Sequence, residues 1–173
     1  MQKPVISIVI GSDSDLPVTK DAISIIEEFK IDYEVLILSA HRCPKETADF
    51  AKKAHNKGIK VIIAAAGGAA HLAGVIAAYF PLPVIGIPIK TSTLNGVDSL
   101  YSIVQMPSGV PVATVGINNA GNAALLTIQI LAVCNKKLQL QLLEYKKKLT
   151  KSVMTKSEKL QKVGYKKYLQ LNP

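Results

Sequence analysis

The stretch "KVIIAAAGGAAHLAGVIAAYFPLPVIGIPI", residues 60–89, decides the fold. "KVIIAAA" (60–66) is a short apolar run closed by Gly67-Gly68, the pattern of a buried strand. "AAHLAGVIAAYF" after it is helix-like, and "PVIGIPI" (83–89) is a second short apolar run set off by prolines. A strand, a helix and a strand, nearly continuous in their apolarity, predict parallel strands buried on both faces.

The same alternation continues in both directions. Upstream lie "VISIVI" (5–10), the helical pattern "SDLPVTKDAISIIEEF", "YEVLIL" (33–38) and "PKETADFAKKAHNKG". In the last of these, proline suits a first helical turn and Gly58 an end. Downstream, "VDSLYSIVQM" predicts a short helix, "VPVATVGI" (110–117) a strand, and Asn119 to Asn135 an apolar helix. The expected fold is therefore α/β, with three α/β/α layers around a central parallel sheet, flavodoxin-like or Rossmann-like. Residues 1–135 are expected to form this one domain.

Residues 136–173 differ in kind. They hold eleven lysines against Glu144 and Glu158, whereas residues 1–135 hold ten basic and ten acidic residues. The net charge of +9 therefore belongs to the tail alone. A lysine-rich helical extension, packed on the domain or on a neighbouring subunit, is expected there. No nucleic-acid recognition motif accompanies the lysines, so no nucleic-acid partner is expected.

Between residues 61 and 135 the only Asp, Glu, Lys or Arg residues are Lys90 and Asp98. So long an uncharged stretch predicts burial against other copies of the chain, hence a homo-oligomer. Pro81, Pro83, Pro88, Pro107 and Pro111 cut it into pieces shorter than the ~20 residues of a membrane span. The apolar run at the start of the chain is too short for a signal-peptide core. Cys43 and Cys134 form neither a disulfide framework nor a metal-ligand spacing. A cytoplasmic protein, without membrane association, is expected.

In parallel α/β sheets, ligands bind beyond the carboxyl ends of the strands. Three polar stretches begin at those ends: "GSDSD" (11–15), "SAHR" (39–42) and "GGAAH" (67–71). In the first, Gly11 permits a tight turn, and Ser12, Ser14 and Asp15 offer hydrogen bonds to an anion or a hydroxyl; Ser14 or Asp15 serves equally well as a helix cap. Neither a Walker lysine nor a dinucleotide fingerprint follows. In the second, His41 suits proton transfer and Arg42 suits a phosphate, although a plain surface pair has the same composition. Beyond His41, Cys43 has no second histidine or carboxylate placed locally to activate it as a nucleophile. In the third, Gly67 and Gly68 allow close backbone approach, while His71 suits either a site or a packed helix start. His41, His55 and His71 lack a metal-binding spacing, so neither a metal nor another cofactor is expected.

Taken together, "GSDSD", "SAHRCP", "AGGAAHLAG", "PVIGIP", "DSLYSIVQMPSGVPVATVGI" and "NAGNAALL" resemble, in order and spacing, the PurE family of purine biosynthesis. The resemblance spans about residues 5–135. It implies isomerisation of N5-carboxyaminoimidazole ribonucleotide to 4-carboxyaminoimidazole ribonucleotide without metal or ATP. A second class within the family instead carboxylates aminoimidazole ribonucleotide directly. That class typically has lysine after the histidine and a different loop; here Arg42 follows His41 and "GGAAH" is intact, which favours the mutase class.

Residue by residue, the resemblance implies that His41 is the acid/base group. Ser12, Asp15 and Arg42 match nucleotide-binding positions. Arg42 with Ser14 and Ser39 suits the phosphate, and Asp15 the ribose. Ala40 falls among the substrate-binding positions, and the loop of Gly67, Gly68, Ala69, His71 and Leu72 would cover the carboxylate. The family's usual assembly is an octamer. Thr19, Cys43 and Ala73 depart from its usual methionine, threonine and proline. Two further readings lack this support: a non-enzymatic nucleotide-binding module, and a nucleic-acid-binding protein driven by the tail.

Overall fold

The computed structural model describes residues 3–171. Five parallel strands form one sheet: β1 (Ile6–Ile10), β2 (Tyr33–Ile37), β3 (Val61–Gly67), β4 (Val84–Ile89) and β5 (Ala113–Thr114). Their order is β2-β1-β3-β4-β5. This is the flavodoxin-like arrangement, in which the chain reverses direction across the sheet between β1 and β3.

Helices cover both faces, as the unbroken apolarity of the strands requires. Ile6, Ile8 and Ile10 of β1 point to one side, where they pack with Ala22 and Ile26 of α1 (Leu16–Glu28) and with Ala123 and Ala124 of α5 (Ala120–Ala132). Val9 points to the other side. There Ala51 and Ala54 of α2 (Pro44–Ala54), Ala73 and Ile76 of α3 (Leu72–Ala77) and Ile103 of α4 (Val97–Val104) complete a second core. Every residue of β1 and β4 is buried, whereas β2, at the sheet edge, is only partly covered.

Close approach of α4 to the sheet depends on Gly86, in the middle of β4. A β-carbon there would run into Ile103 Cγ2 and come within 3.2 Å of Val112 Cγ1. The absence of a side chain lets Ile103 reach the strand backbone.

The expected elements are present, with two contractions. The strand expected over 110–117 is reduced to Ala113–Thr114, paired with Ile85 and Gly86. β5 is an edge strand, and Pro111 has no N–H to contribute to a ladder. Val115 N–H still donates to the Gly86 carbonyl at 3.1 Å, so the chain follows β4 a little farther. The helix expected over 69–80 is shortened to Leu72–Ala77, because residues 68–71 are drawn into tight turns.

The chain divides into two compact units at Leu131/Ala132. In the second, α6 (Lys136–Val163) is capped by Asn135, whose Oδ1 accepts the Leu138 N–H at 3.2 Å. Gly164, at φ 76°, ends it before α7 (Tyr165–Leu171). Leu149, Val153 and Leu160 are exposed along α6. Among the described residues no helix is long and apolar enough to cross a membrane.

Candidate active site

The carboxyl ends of β1, β2, β3 and β4 open into one cleft of about 520 Å³. It lies where the strand order reverses, as expected for this topology. Of the residues singled out in the sequence, Ser12, Ser14, Asp15, Ser39, Ala40, His41, Arg42, Gly67 and Leu72 line it. Gly68, Ala69 and His71 are not part of its lining.

After β1, Ser12 and Asp15 form a reciprocal capping box around the 3-10 turn Asp13–Asp15. Ser14 N–H donates to Ser12 Oγ at 3.4 Å, and Ser12 N–H donates to Asp15 Oδ2 at 3.2 Å. The cap is thus made by Ser12, with Asp15 returning the bond, and not by Ser14, and Asp15 makes no side-chain cap to α1; Ser12 and Asp15 line the cleft as well. Asp15 is buried, and this burial pushes its carboxyl above the ordinary value. Hydrogen bonds from Ser12 and Ser14 oppose the rise, and the neighbouring Asp13 charge adds to it.

At the tip of β2 the chain turns directly into α2. Ser39 Oγ accepts the Arg42 N–H at 3.2 Å, which closes the turn. The Arg42 guanidinium reaches back to β1, where Nη2 donates to the Gly11 carbonyl at 2.8 Å. Nε also donates to Ser39 Oγ at 3.4 Å, and the guanidinium keeps its remaining donors available along the cleft wall. Cys43 is turned away from the cleft. Its Sγ accepts the Ser39 N–H at 3.0 Å, and its thiol lies 3.3 Å from the Ser39 carbonyl. The sulfur thus serves the turn.

The loop after β3 brings the second histidine to the first. His41 Nε2 and His71 Nδ1 are 2.9 Å apart, with the rings edge to face at 82°. Gly68 makes the turn possible with φ of 66°. The loop backbone is gripped by α4. Gly68 N–H donates to Ser99 Oγ at 2.9 Å, and the Ser102 hydroxyl is shared between the Asp98 carbonyl at 2.8 Å and the Gly68 carbonyl at 3.2 Å. Ser99 is fully buried and donates in turn to the Ile89 carbonyl at 2.7 Å. Two serines three residues apart on one helix therefore hold both polar groups of a single glycine.

Sequence reasoning did not place these serines in the site, nor the contribution of β4. Ile89, Lys90 and Thr91 line the cleft. The signal for Lys90 was present, since it is the only Lys or Arg between residues 61 and 135 and follows a strand directly. His55 stands apart, in a 3-10 turn at the far end of α2. Among the described residues, no three His, Cys, Asp or Glu side chains gather as a metal ion would need.

The cleft therefore combines an imidazole, a guanidinium, an ammonium, a buried carboxyl and several hydroxyls. That set can hold a phosphorylated, hydroxyl-bearing small molecule and move a proton on it.

A family model described as AIR carboxylase matches residues 5–152. The chain is 56% identical over 166 residues to the N5-carboxyaminoimidazole ribonucleotide mutase of Thermotoga maritima, covering 96% of this chain and 97% of that protein. It is 54% identical to the mutase of the same name from Pyrococcus horikoshii, covering 97% and 95%. Identity to the phosphoribosylaminoimidazole carboxylase of Saccharomyces cerevisiae is 51%, over 98% of this chain but 30% of that longer protein. Among solved structures, Treponema denticola PurE superimposes with a TM-score of 0.83 at 27% identity, covering 91% of this chain and 98% of that one.

Proposed function

This chain belongs to the AIR carboxylase family, the PurE proteins, and on that premise we propose that it is the mutase of the family. It would convert N5-carboxyaminoimidazole ribonucleotide into 4-carboxyaminoimidazole ribonucleotide in purine biosynthesis. The observation that carries this reading is the placement of His41 and Arg42 side by side on the wall of one cleft, a proton carrier next to a phosphate clamp. The two relatives named mutase match nearly end to end, whereas the yeast carboxylase is more than three times longer than its matching part.

The isomerisation breaks a nitrogen–carbon bond and forms a carbon–carbon bond. When the N5-carboxylate leaves as carbon dioxide, the electron pair stays on the exocyclic nitrogen, which gains a proton. C4 then adds to the trapped carbon dioxide and sheds its own proton. One proton is lost and one gained, so a single imidazole can carry both transfers and end as it began. In this reading His41 is that carrier. Arg42, with Ser14 and Ser39, holds the phosphate, and Asp15 takes the ribose hydroxyls. Ala40, Gly67 and Leu72 close around the carboxylate, and exclusion of water keeps the carbon dioxide from escaping. We further propose that the enzyme works as a homo-octamer.

The deciding experiment supplies each ribonucleotide separately to purified, metal-free protein and follows the imidazole absorbance. Conversion of the N5-carboxylated compound is expected. Turnover only of aminoimidazole ribonucleotide with added carbon dioxide would transfer the protein to the carboxylase class. Binding without turnover of either would make it a nucleotide-binding module.

A further inference from the structure

We infer that Lys90 is a second anion anchor of the cleft, set to hold the migrating carboxylate while Arg42 holds the phosphate. The identity of that anion rests on the mutase reading; the placement of the two cations does not.

Lys90 follows β4 directly and lines the cleft. Arg42 lines the same cleft, its guanidinium bonded to the Gly11 carbonyl just past β1. In the strand order only β3 lies between β1 and β4. The two strand ends are therefore two strand spacings apart, about 9–10 Å. The substrate carries its two anionic groups in a matching way, with a ribose and an imidazole ring between phosphate and carboxylate.

The Lys90 ammonium has no charged partner within the fold. The only Asp or Glu between residues 61 and 135 is Asp98, and both of its carboxylate oxygens accept from the Thr91 hydroxyl, at 3.0 and 3.1 Å. Among the described residues Lys90 forms no ion pair and no cation–π contact. The backbone beneath it is fixed, since Lys90 N–H donates to Asn118 Oδ1 at 2.8 Å. Its neighbours abut the loop assigned to the carboxylate: Gly67 pairs with Ile89, and a β-carbon on Gly67 would lie 3.4 Å from Thr91 Cγ2. A free ammonium on a fixed stem at that point is a binding partner for a carboxylate.

The carboxylate is anionic on the exocyclic nitrogen before reaction and on C4 after it, and those two atoms are close on one ring. Lys90 can hold both, whereas neutral carbon dioxide draws on it least. Its contribution is therefore to the binding of reactant and product.

The test is calorimetric binding of two ligands that share the ribose phosphate: 4-carboxyaminoimidazole ribonucleotide, and aminoimidazole ribonucleotide, which lacks the carboxylate. Lys90→Met removes the charge from an exposed side chain of similar length. It should bind the first ligand roughly tenfold or more weakly and the second as wild type does. Lys90→Arg keeps the charge and should keep most of the wild-type preference. Equal weakening of both ligands in Lys90→Met would put Lys90 on the phosphate and overturn the inference, as would no weakening of either. Turnover is measured separately. Loss of the preference in Lys90→Met, in a protein that isomerises nothing, would uphold the anchor and sink the mutase reading. Isomerisation by wild type with an unchanged preference in Lys90→Met would do the reverse.

Discussion

Ser99 and Gly68 are joined across 31 residues of sequence: the buried Ser99 hydroxyl accepts the Gly68 N–H at 2.9 Å while donating to the Ile89 carbonyl at 2.7 Å. One side chain thus ties the β3 loop to the tip of β4. Replacing it with alanine leaves a partly buried N–H and a buried carbonyl without this partner, at a cost of about 1–3 kcal/mol. Ser99→Ala should therefore unfold at lower denaturant concentration and lose kcat as the His71 turn loosens. Unchanged stability and activity would show that the clamp is dispensable.

His41→Asn removes the proposed proton carrier and keeps a polar group of similar reach. Turnover should fall by roughly 10²–10⁴-fold, the usual worth of a positioned acid or base. Nucleotide binding, measured by calorimetry with the product, should stay close to wild type. Substantial residual turnover would remove His41 from its assigned role.

Arg42→Lys tests the phosphate clamp. The ammonium retains the charge but loses the fork and the bond from Nη2 to the Gly11 carbonyl. A hydrogen bond to a charged group is worth about 1.5–3 kcal/mol, so KM should rise on the order of ten- to a hundredfold. The effect on kcat should be smaller. A KM within twofold of wild type would place the phosphate elsewhere, with Lys90 the next cation on the cleft wall.

Asp15 gives a pH-dependent expectation. Burial raises its carboxyl above the ordinary value of 3.8, so the folded chain holds this proton more tightly than the unfolded chain does. The sign follows from linkage: this contribution to stability is present at low pH and is lost as pH rises through the folded-state value. Asp15→Asn removes the ionisation. The variant should gain stability relative to wild type at neutral pH, the difference closing as the solution is acidified below about pH 4. Melting curves across that range measure it. A constant offset at all pH values would contradict the shift.

Val97, Tyr101 and Val104 lie at positions i, i+4 and i+7 of α4, with 42%, 59% and 49% of their surface exposed. An apolar stripe of this kind on a protein proposed to assemble is where neighbouring copies are expected to meet. Tyr101→Glu should reduce the mass measured by light scattering while leaving the circular dichroism spectrum intact. A monomeric wild-type protein would refute the octamer outright.

The alternation of short apolar runs with helical patterns was legible because both faces of a parallel sheet must be buried, which imprints continuous apolarity on β1, β3 and β4. Chemistry at the strand ends was legible for a related reason: Ser12 and His41 come shortly after β1 and β2 and Gly67 closes β3, and residues there have only the rim to occupy. What sequence could not determine are relationships across the chain. The length of β5 depends on its edge position and on Pro111, and the place of Lys90 on the cleft wall depends on β4 lying next to β3. His41 and His71 are 30 residues apart, and neither carries a local mark of the other. Their contact exists because β1 separates β2 from β3 in the sheet, and because Ser99 and Ser102 fasten the Gly68 turn that aims one ring at the other. Local patterning determined the elements and the rim, and packing alone decided which two rings share a proton.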